Sequence, residues 1–305
     1  MGLKVNDIST PSGSLPTLGG VGISPYGFKN YIINGGFDVW QRGTAAVSGD
    51  GYYSADRWSQ EHCTIEKEVD EVGKPFAKCT CSDDDTFNRI IQRIENGRQF
   101  SNKTLTVSFE IDSPDGLEDG RILIYTKDDD DNSYTVRDTN FQYTDTRTMY
   151  SFTCSLDDRL LRDDYYLGIY IYGDRTDTNQ NGKVFNVYNV QLEEGSVATP
   201  FEMRPYGLEL SLCQRYYEKT DYYIQDVSGD IFYNTSKFNT TKRANPSITI
   251  IAYSGTVGKI TNINDDVDFD ADIYINGTSA ATVHSDTSDS DNENIGYLLI
   301  LDAEL

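Results

Sequence analysis

The chain has 305 residues, a formal net charge of −23 and 22 tyrosines, with an isoelectric point near 4.3. That length suits two domains, each able to bury a core of its own. Binding to a phosphate backbone is driven by Lys and Arg releasing counterions, so this acidity argues against nucleic acid and against anionic membrane surfaces as partners.

Residues 1–29 carry Pro11, Pro16 and Pro25 among Gly and Ser and show little apolar periodicity. They read as a disordered terminus or, equally, as an extended arm that docks on a neighbouring subunit through Val21, Ile23, Tyr26 and Phe28. From Tyr31 to Arg42 the apolar residues alternate, with Gly35 and Gly36 breaking the run. This pattern predicts two short strand pieces joined at a bend. The uninterrupted period-2 run Val184, Asn186, Tyr188, Val190 and Leu192 predicts a half-buried strand. These two segments are expected to pair and to close one β-sandwich over residues 30–204.

Between them lie Ser48 to Gly51 as a turn cluster, then Tyr52 and Tyr53 leading to Asp56, Arg57 and Trp58. Trp40 and Trp58 are the only tryptophans and are expected to anchor the core. Each removes about 150–250 Å² from water, worth at most about 4–6 kcal/mol. Asp56 and Arg57 suit a structural pairing at the strand entry better than sugar contacts. Strands are predicted over Thr64–Val69 and Pro75–Cys81 around a turn at Asp70 to Lys74, then over Phe87–Ile94, Thr104–Ile111, Arg121–Lys127, Met149–Leu156 and Tyr165–Tyr172. In the last of these, Leu167, Ile169 and Ile171 form an aliphatic core face. Tyr166, Gly168, Tyr170 and Tyr172 form the opposite face, which reads as packing or as a platform for glycan stacking. Asp128 to Asn132 reads as a solvated hairpin tip, and Asp174 to Gly182 as a polar rim loop.

After Pro205 the spacing of Leu208, Leu212 and Tyr216 predicts one short helix over Tyr206–Tyr217. A second β domain follows over 219–305, with strands at Ile231–Tyr233, Ile248–Tyr253, Val257–Ile263, Ile273–Ile275 and Tyr297–Leu301. Asn276-Gly277 is a strong hairpin dipeptide, and His284 to Glu293 reads as an exposed mobile loop. The fold class is thus all-β: a jelly-roll sandwich over 30–204, a linker helix over 205–218 and a smaller β-sandwich.

Four blocks, NYIINGGFDVWQRG, ADRW, NVQLEEGSVATPFEMRP and ELSLCQRYY, occur in that order over about two thirds of the chain. Together they resemble tailed-phage tail-fibre or spike proteins that carry a carbohydrate-binding-like jelly roll. The resemblance implies a virion appendage, assembled in the host cytoplasm, trimeric, attached to other virion proteins through the N-terminal arm and binding host-surface glycans. A purely structural virion adaptor is the alternative, and a depolymerase a third reading. Tyr52, Tyr53, Tyr170 and Tyr172 are the candidate glycan contacts. The resemblance also implies a structural calcium at Gly36, Asp38 and Asn189, where Asn189 replaces the acidic residue usual in such modules.

An enzyme is not expected. The only histidines are His62 and His284, and no Gly-rich phosphate loop or zinc spacing occurs. The five cysteines, Cys63, Cys79, Cys81, Cys154 and Cys213, read as buried free thiols of a protein folded in a reducing compartment. No apolar run is long enough to cross a bilayer, and no export signal opens the chain.

Overall fold

The computed structural model describes residues 17–18, 21–22, 28–82, 87–116, 118–127, 133–157, 166–173, 180–227, 231–262, 267–275, 277–286 and 293–304. Most of the predicted arm, the Asp128 to Asn132 tip, most of the Asp174 to Gly182 loop and Asn276 lie outside the described residues. The chain divides into two compact units, Met1–Arg204 and Pro205–Leu305.

In the first unit, β1 (Thr17–Leu18) and β2 (Val21–Gly22) form a small antiparallel pair. The sandwich itself uses β3 (Ser59–Glu61), β4 (Cys63–Val69), β5 (Pro75–Cys81), β6 (Arg89–Ile94), β7 (Thr104–Asp112), β8 (Glu118–Lys127), β9 (Ser133–Tyr143), β10 (Thr148–Ser155), β11 (Tyr166–Tyr172) and β12 (Val184–Glu194). Five strands in the order β10-β7-β12-β5-β4 make one sheet, and five in the order β3-β6-β11-β8-β9 make the other. Every pairing is antiparallel. Between the sheets lies one core, built from Ile65, Ala77 and Cys79, from Leu105, Val107, Phe109 and Ile111, and from Leu167, Ile169 and Ile171. Alternation supplied these side chains, because successive residues of a strand point to opposite faces.

The segment 31–42 is not a strand. Asn34 and Phe37 hold φ of +57°, a left-handed conformation outside the extended range of regular strands. It is a hydrogen-bonded loop, and it nevertheless lies directly beside β12. Tyr31 N–H donates to Leu192 O at 2.8 Å and Val190 N–H to Gly35 O at 2.9 Å. Asn30 fills the gap with its side chain, donating to Val190 O at 3.2 Å and accepting from Leu192 N–H at 3.0 Å. The predicted neighbours are therefore correct and the predicted strand pairing is not.

Strand β12 is also interrupted. Its register on β7 shifts between Tyr188 and Gln191, and Asn189 has φ +50°. A bulge changes which face later residues use, so Val190 and Leu192 join Val187 in the core, while Gln191 is buried against Thr199 and Glu202. Strand β7 is more buried than a half-exposed strand should be. It is flanked by β10 and β12, and Thr106 donates from its hydroxyl to Gly195 O at 2.8 Å. Trp58 is fully buried, with its indole N–H on Asn34 O at 2.9 Å. Trp40 is only half-buried, at the core margin.

The second unit opens with α1 (Tyr206–Gln214), which stops before the predicted end because β13 (Tyr217–Val227) begins at Tyr217. Six strands follow: β14 (Ile231–Lys237), β15 (Ser247–Ala252), β16 (Lys259–Asn262), β17 (Val267–Ile275), β18 (Ala280–Asp286) and β19 (Glu293–Asp302). Strand β17 gives its first half to β16 and its second half to β18. The sheet thereby turns over on itself, and Asn234 of β14 donates to Tyr297 Oη of β19 at 2.6 Å. Tyr297, Leu299, Ile295, Ile250, Ile260 and Val283 form the core. His284 lies on β18 rather than in a mobile loop, and residues 287–292 of that predicted loop lie outside the described residues.

Candidate functional site

The outer face of the second sheet concentrates the unusual chemistry of the first unit. Strand register fixes it. Tyr172 of β11 lies between Arg89 and Arg121, Tyr170 between Ile91 and Leu123, and Gly168 between Arg93 and Tyr125. Three arginines and four tyrosines, counting Tyr166, thus share one face of a chain whose net charge is −23.

The arginines lie on the rings. The Arg89 guanidinium is 4.8 Å from the Tyr170 centroid and 5.1 Å from that of Tyr172. Arg121 is 5.1 Å from Tyr172, and Arg93 is 5.7 Å from Tyr166. Such cation–π contacts fix the guanidinium planes. Carboxylates balance two of them: Glu61 pairs with Arg89, and Asp138 takes Arg121 through two bonds of 2.6 Å. Tyr125 hydroxyl bonds Tyr170 hydroxyl and stands 3.2 Å from that of Tyr166. Gly168 makes this convergence possible. A Cβ there would come within 2.7 Å of the Tyr125 ring and 2.9 Å of the Tyr170 ring.

Tyr170 and Tyr172 are 4% and 1% exposed, so neither offers a ring face to a sugar, contrary to expectation. The guanidiniums and neighbouring rings occupy those faces. Burial pushes the Tyr170 phenol up to about 12, with Arg93 and Arg89 pulling the other way. Tyr52 is half-buried beneath Arg42, 5.7 Å from its ring, and accepts from Arg93 Nη1 at 3.4 Å. The fold therefore brings Tyr52 onto the same face as Tyr166 and Tyr170. Tyr53 is 40% exposed and packs along Gly49 and Gly51. Arg89, Arg93, Arg121 and Tyr125 were not foreseen as site residues, whereas Tyr166 stood on the predicted tyrosine face. The alternation Arg89-Ile91-Arg93 and Arg121-Leu123-Tyr125 carried that signal.

The resemblance blocks fold into buried polar knots. Asn34 Nδ2 donates to Val39 O at 2.8 Å and Asp56 O at 2.9 Å, while its Oδ1 accepts Val39 N–H at 2.9 Å. Asp56 and Arg57 are 0% and 1% exposed. Asp56 accepts from Gln41 Nε2 at 2.5 Å and pairs with Arg42 at 3.6 Å, a structural role as expected but through partners that the sequence reading did not name. In the closing block, Glu193 accepts Thr199 N–H at 2.8 Å, and Glu202 accepts Asn30 N–H at 2.9 Å.

Of the three residues assigned to calcium, Asn189 turns its amide nitrogen to Glu110 Oε1 at 3.0 Å. Asp38 Oδ2 lies beside Gly36, 2.9 Å from where a Cβ would stand. Asp38 is the one carboxylate among the three. Among the described residues no group of three or more His, Cys, Asp and Glu side chains is placed to hold a metal ion. His62 lies 4.0 Å from Asp50 in the first unit, and His284 lies 3.7 Å from Asp272 in the second. Among the described residues no helix is long and apolar enough to cross a membrane.

No protein-family model matches the chain, and no curated protein matches it. Solved structures do. A CBM4 domain aligns at 18% identity over 53% of this chain and 98% of its own, with a TM-score of 0.39. A putative sugar binding protein from Bacteroides thetaiotaomicron aligns at 14% identity over 55% and 100%, with a TM-score of 0.37. The enzymatically active domain of tailspike protein 4 from bacteriophage CBA120 aligns at 12% identity over 56% of this chain and 22% of its own, with a TM-score of 0.33. At these scores the likeness is one of outline. The sandwich is established by its own strand pairing.

Proposed function

We propose that the chain is a binding protein of a tailed-phage appendage whose first unit recognises saccharide on the outer face of its second sheet. One observation carries this reading: guanidiniums fixed on tyrosine rings along β6, β8 and β11. A saccharide presents closely spaced hydroxyls, and Arg supplies up to five N–H donors in a rigid fork. Here packing has already restrained the forks, so less side-chain freedom is lost on binding. Tyr53 and the half-buried Tyr52 and Tyr166 supply aromatic rim.

The phage assignment rests on the four sequence blocks, and so does a trimeric state. Physical logic favours several copies. A shallow contact of about −4 kcal/mol is millimolar, and linking sites raises avidity by about 10² to 10⁴. No catalytic step belongs to the proposal.

A structural virion adaptor is the second reading, and the burial of Tyr170 and Tyr172 favours it, since their ring faces are spent inside the protein. Glycan-array binding by the full chain, displayed multivalently, separates the two. Reproducible binding to a saccharide class supports recognition. A silent array, together with assembly onto particles, supports the adaptor.

A further inference from the structure

All five cysteines are buried thiols, and three come from one hairpin. Strands β4 and β5 pair with Cys63 directly opposite Cys81, and Ile65 opposite Cys79. Backbone hydrogen bonding decides the kind of pair. Cys81 N–H donates to Lys183 O at 2.9 Å, and Cys81 O accepts Gly182 N–H at 2.9 Å. Both backbone groups of Cys81 therefore point away from β4. The next bond along the hairpin runs from Ser82 N–H to His62 O at 2.9 Å. Cys63 and Cys81 thus form a non-hydrogen-bonded antiparallel pair, in which Cα atoms lie about 4.5 Å apart and side chains approach most closely. That separation lies inside the roughly 4.4–6.8 Å that a disulfide spans. Both thiols are on the core face, 1% and 2% exposed.

We propose that Cys63 and Cys81 are a cross-strand disulfide site, reduced as the chain folds and closed when it meets a small-molecule disulfide oxidant. Cys79 is the competitor. It shares a strand and face with Cys81, and it lies diagonally from Cys63, where separations run about 7–8 Å, beyond the span of a disulfide. Cys154 stands on β10, at the opposite edge of the sheet from β4, and Cys213 lies on α1 in the other unit.

The chemistry balances with oxidised glutathione as the acceptor. The Cys63 thiol loses its proton, and its sulfur attacks one glutathione sulfur, breaking that S–S bond and releasing one glutathione thiolate. The deprotonated Cys81 sulfur then attacks Cys63 sulfur, breaking the mixed disulfide and releasing the second. Two protein thiols lose two protons and two electrons, and two glutathione thiols gain them. Access comes from the hairpin's open end: β4 is an edge strand, and the pair lies between half-exposed His62 and exposed Ser82. Strand ends at a sheet edge open locally at low cost. Burial, with Cys81 adding to it, holds the Cys63 thiol above its ordinary range, so reaction passes through the frayed end and is slow.

The test uses the full chain, reduced and then incubated with oxidised glutathione in mildly alkaline buffer. Free thiols counted after unfolding are expected to fall from five to three, and non-reducing peptide mapping is expected to recover a linked Cys63–Cys81 peptide that dithiothreitol separates. The oxidised form is expected to melt about 5–10 °C higher, because the crosslink constrains the unfolded chain. Cys81→Ser is expected to abolish the internal crosslink, leaving Cys63 at most as a glutathione adduct that mapping resolves, and Cys154→Ser to leave the crosslink unchanged. Five thiols surviving exposure that extends to partial urea, or a linkage through Cys79, Cys154 or Cys213, would overturn the proposal, and wild-type mapping decides it whether or not a variant folds.

Discussion

The backbone N–H of Val190 donates to the carbonyl of Gly35 at 2.9 Å, and a Cβ on Gly35 would stand 2.1 Å from the Val190 carbonyl oxygen. Two stretches far apart in the chain therefore touch backbone to backbone, and only glycine permits the approach. Gly35→Ala must push the loop off β12 and is expected to cost about 3 kcal/mol. Gly207→Ala in α1 meets nothing within 4 Å and is expected to stabilise by about 0.5–1 kcal/mol. Urea unfolding of both variants checks the contrast.

Asn34 is the hub of the loop. Its removal as Asn34→Ala takes a partner from Val39 N–H and Asp56 O and one of two from Val39 O, which keeps Asp56 N–H, all in the buried interior. A cost of about 3 kcal/mol is expected. Urea unfolding reads that cost, while the bond from Trp58 to the Asn34 backbone carbonyl survives the substitution.

Stability should fall at high pH through Tyr170. Its phenol, raised by burial to about 12, ionises in the unfolded chain near 10. The unfolded state thus releases its proton first as pH rises. The contribution is fully present below about pH 10 and is lost between there and about pH 12. Urea midpoints measured across that range are expected to decline, and Tyr170→Phe is expected to flatten part of the decline.

In the second unit, Lys242 and Glu218 pair with side chains 0% exposed. Lys242 also donates to Gln214 O at 2.6 Å. Lys242→Met leaves the Glu218 charge buried without its partner, and a loss of about 3–5 kcal/mol is expected. Pairing it with Glu218→Gln should recover much of that, as a double-mutant cycle on thermal unfolding would read. Burial lowers the Lys242 pKa. The folded chain therefore releases this proton before the unfolded one, and net stability rises with pH between the folded and unfolded values.

Periodicity made much of this fold legible. The alternation in Pro75–Cys81 matches β5 residue for residue, and Leu167, Ile169 and Ile171 face the core as read. Polar strands were harder. Strand β9 has few apolar residues to alternate because it is the edge of its sheet, and β3, β13 and β18 escaped for want of a clean pattern. The loop 31–42 misled because its apolar residues alternate while Asn34 and Phe37 hold left-handed backbone, which side-chain parity does not record. At the candidate site the tyrosine row was visible in one strand, whereas the arginines that cover it come from β6 and β8. Only cross-strand register joins them.

Arg93 gives the most direct test of saccharide recognition, because it sits between Tyr52 and Tyr166 on the candidate face. The measurement is binding of the multivalent full chain to immobilised saccharides, wild type beside Arg93→Ala, with melting temperature followed in parallel. The account predicts binding to at least one saccharide class and a loss of about tenfold or more in Arg93→Ala, equivalent to about 1.4 kcal/mol, with folding retained. Folded wild-type protein that binds no saccharide, or binding that Arg93→Ala leaves untouched, would contradict it.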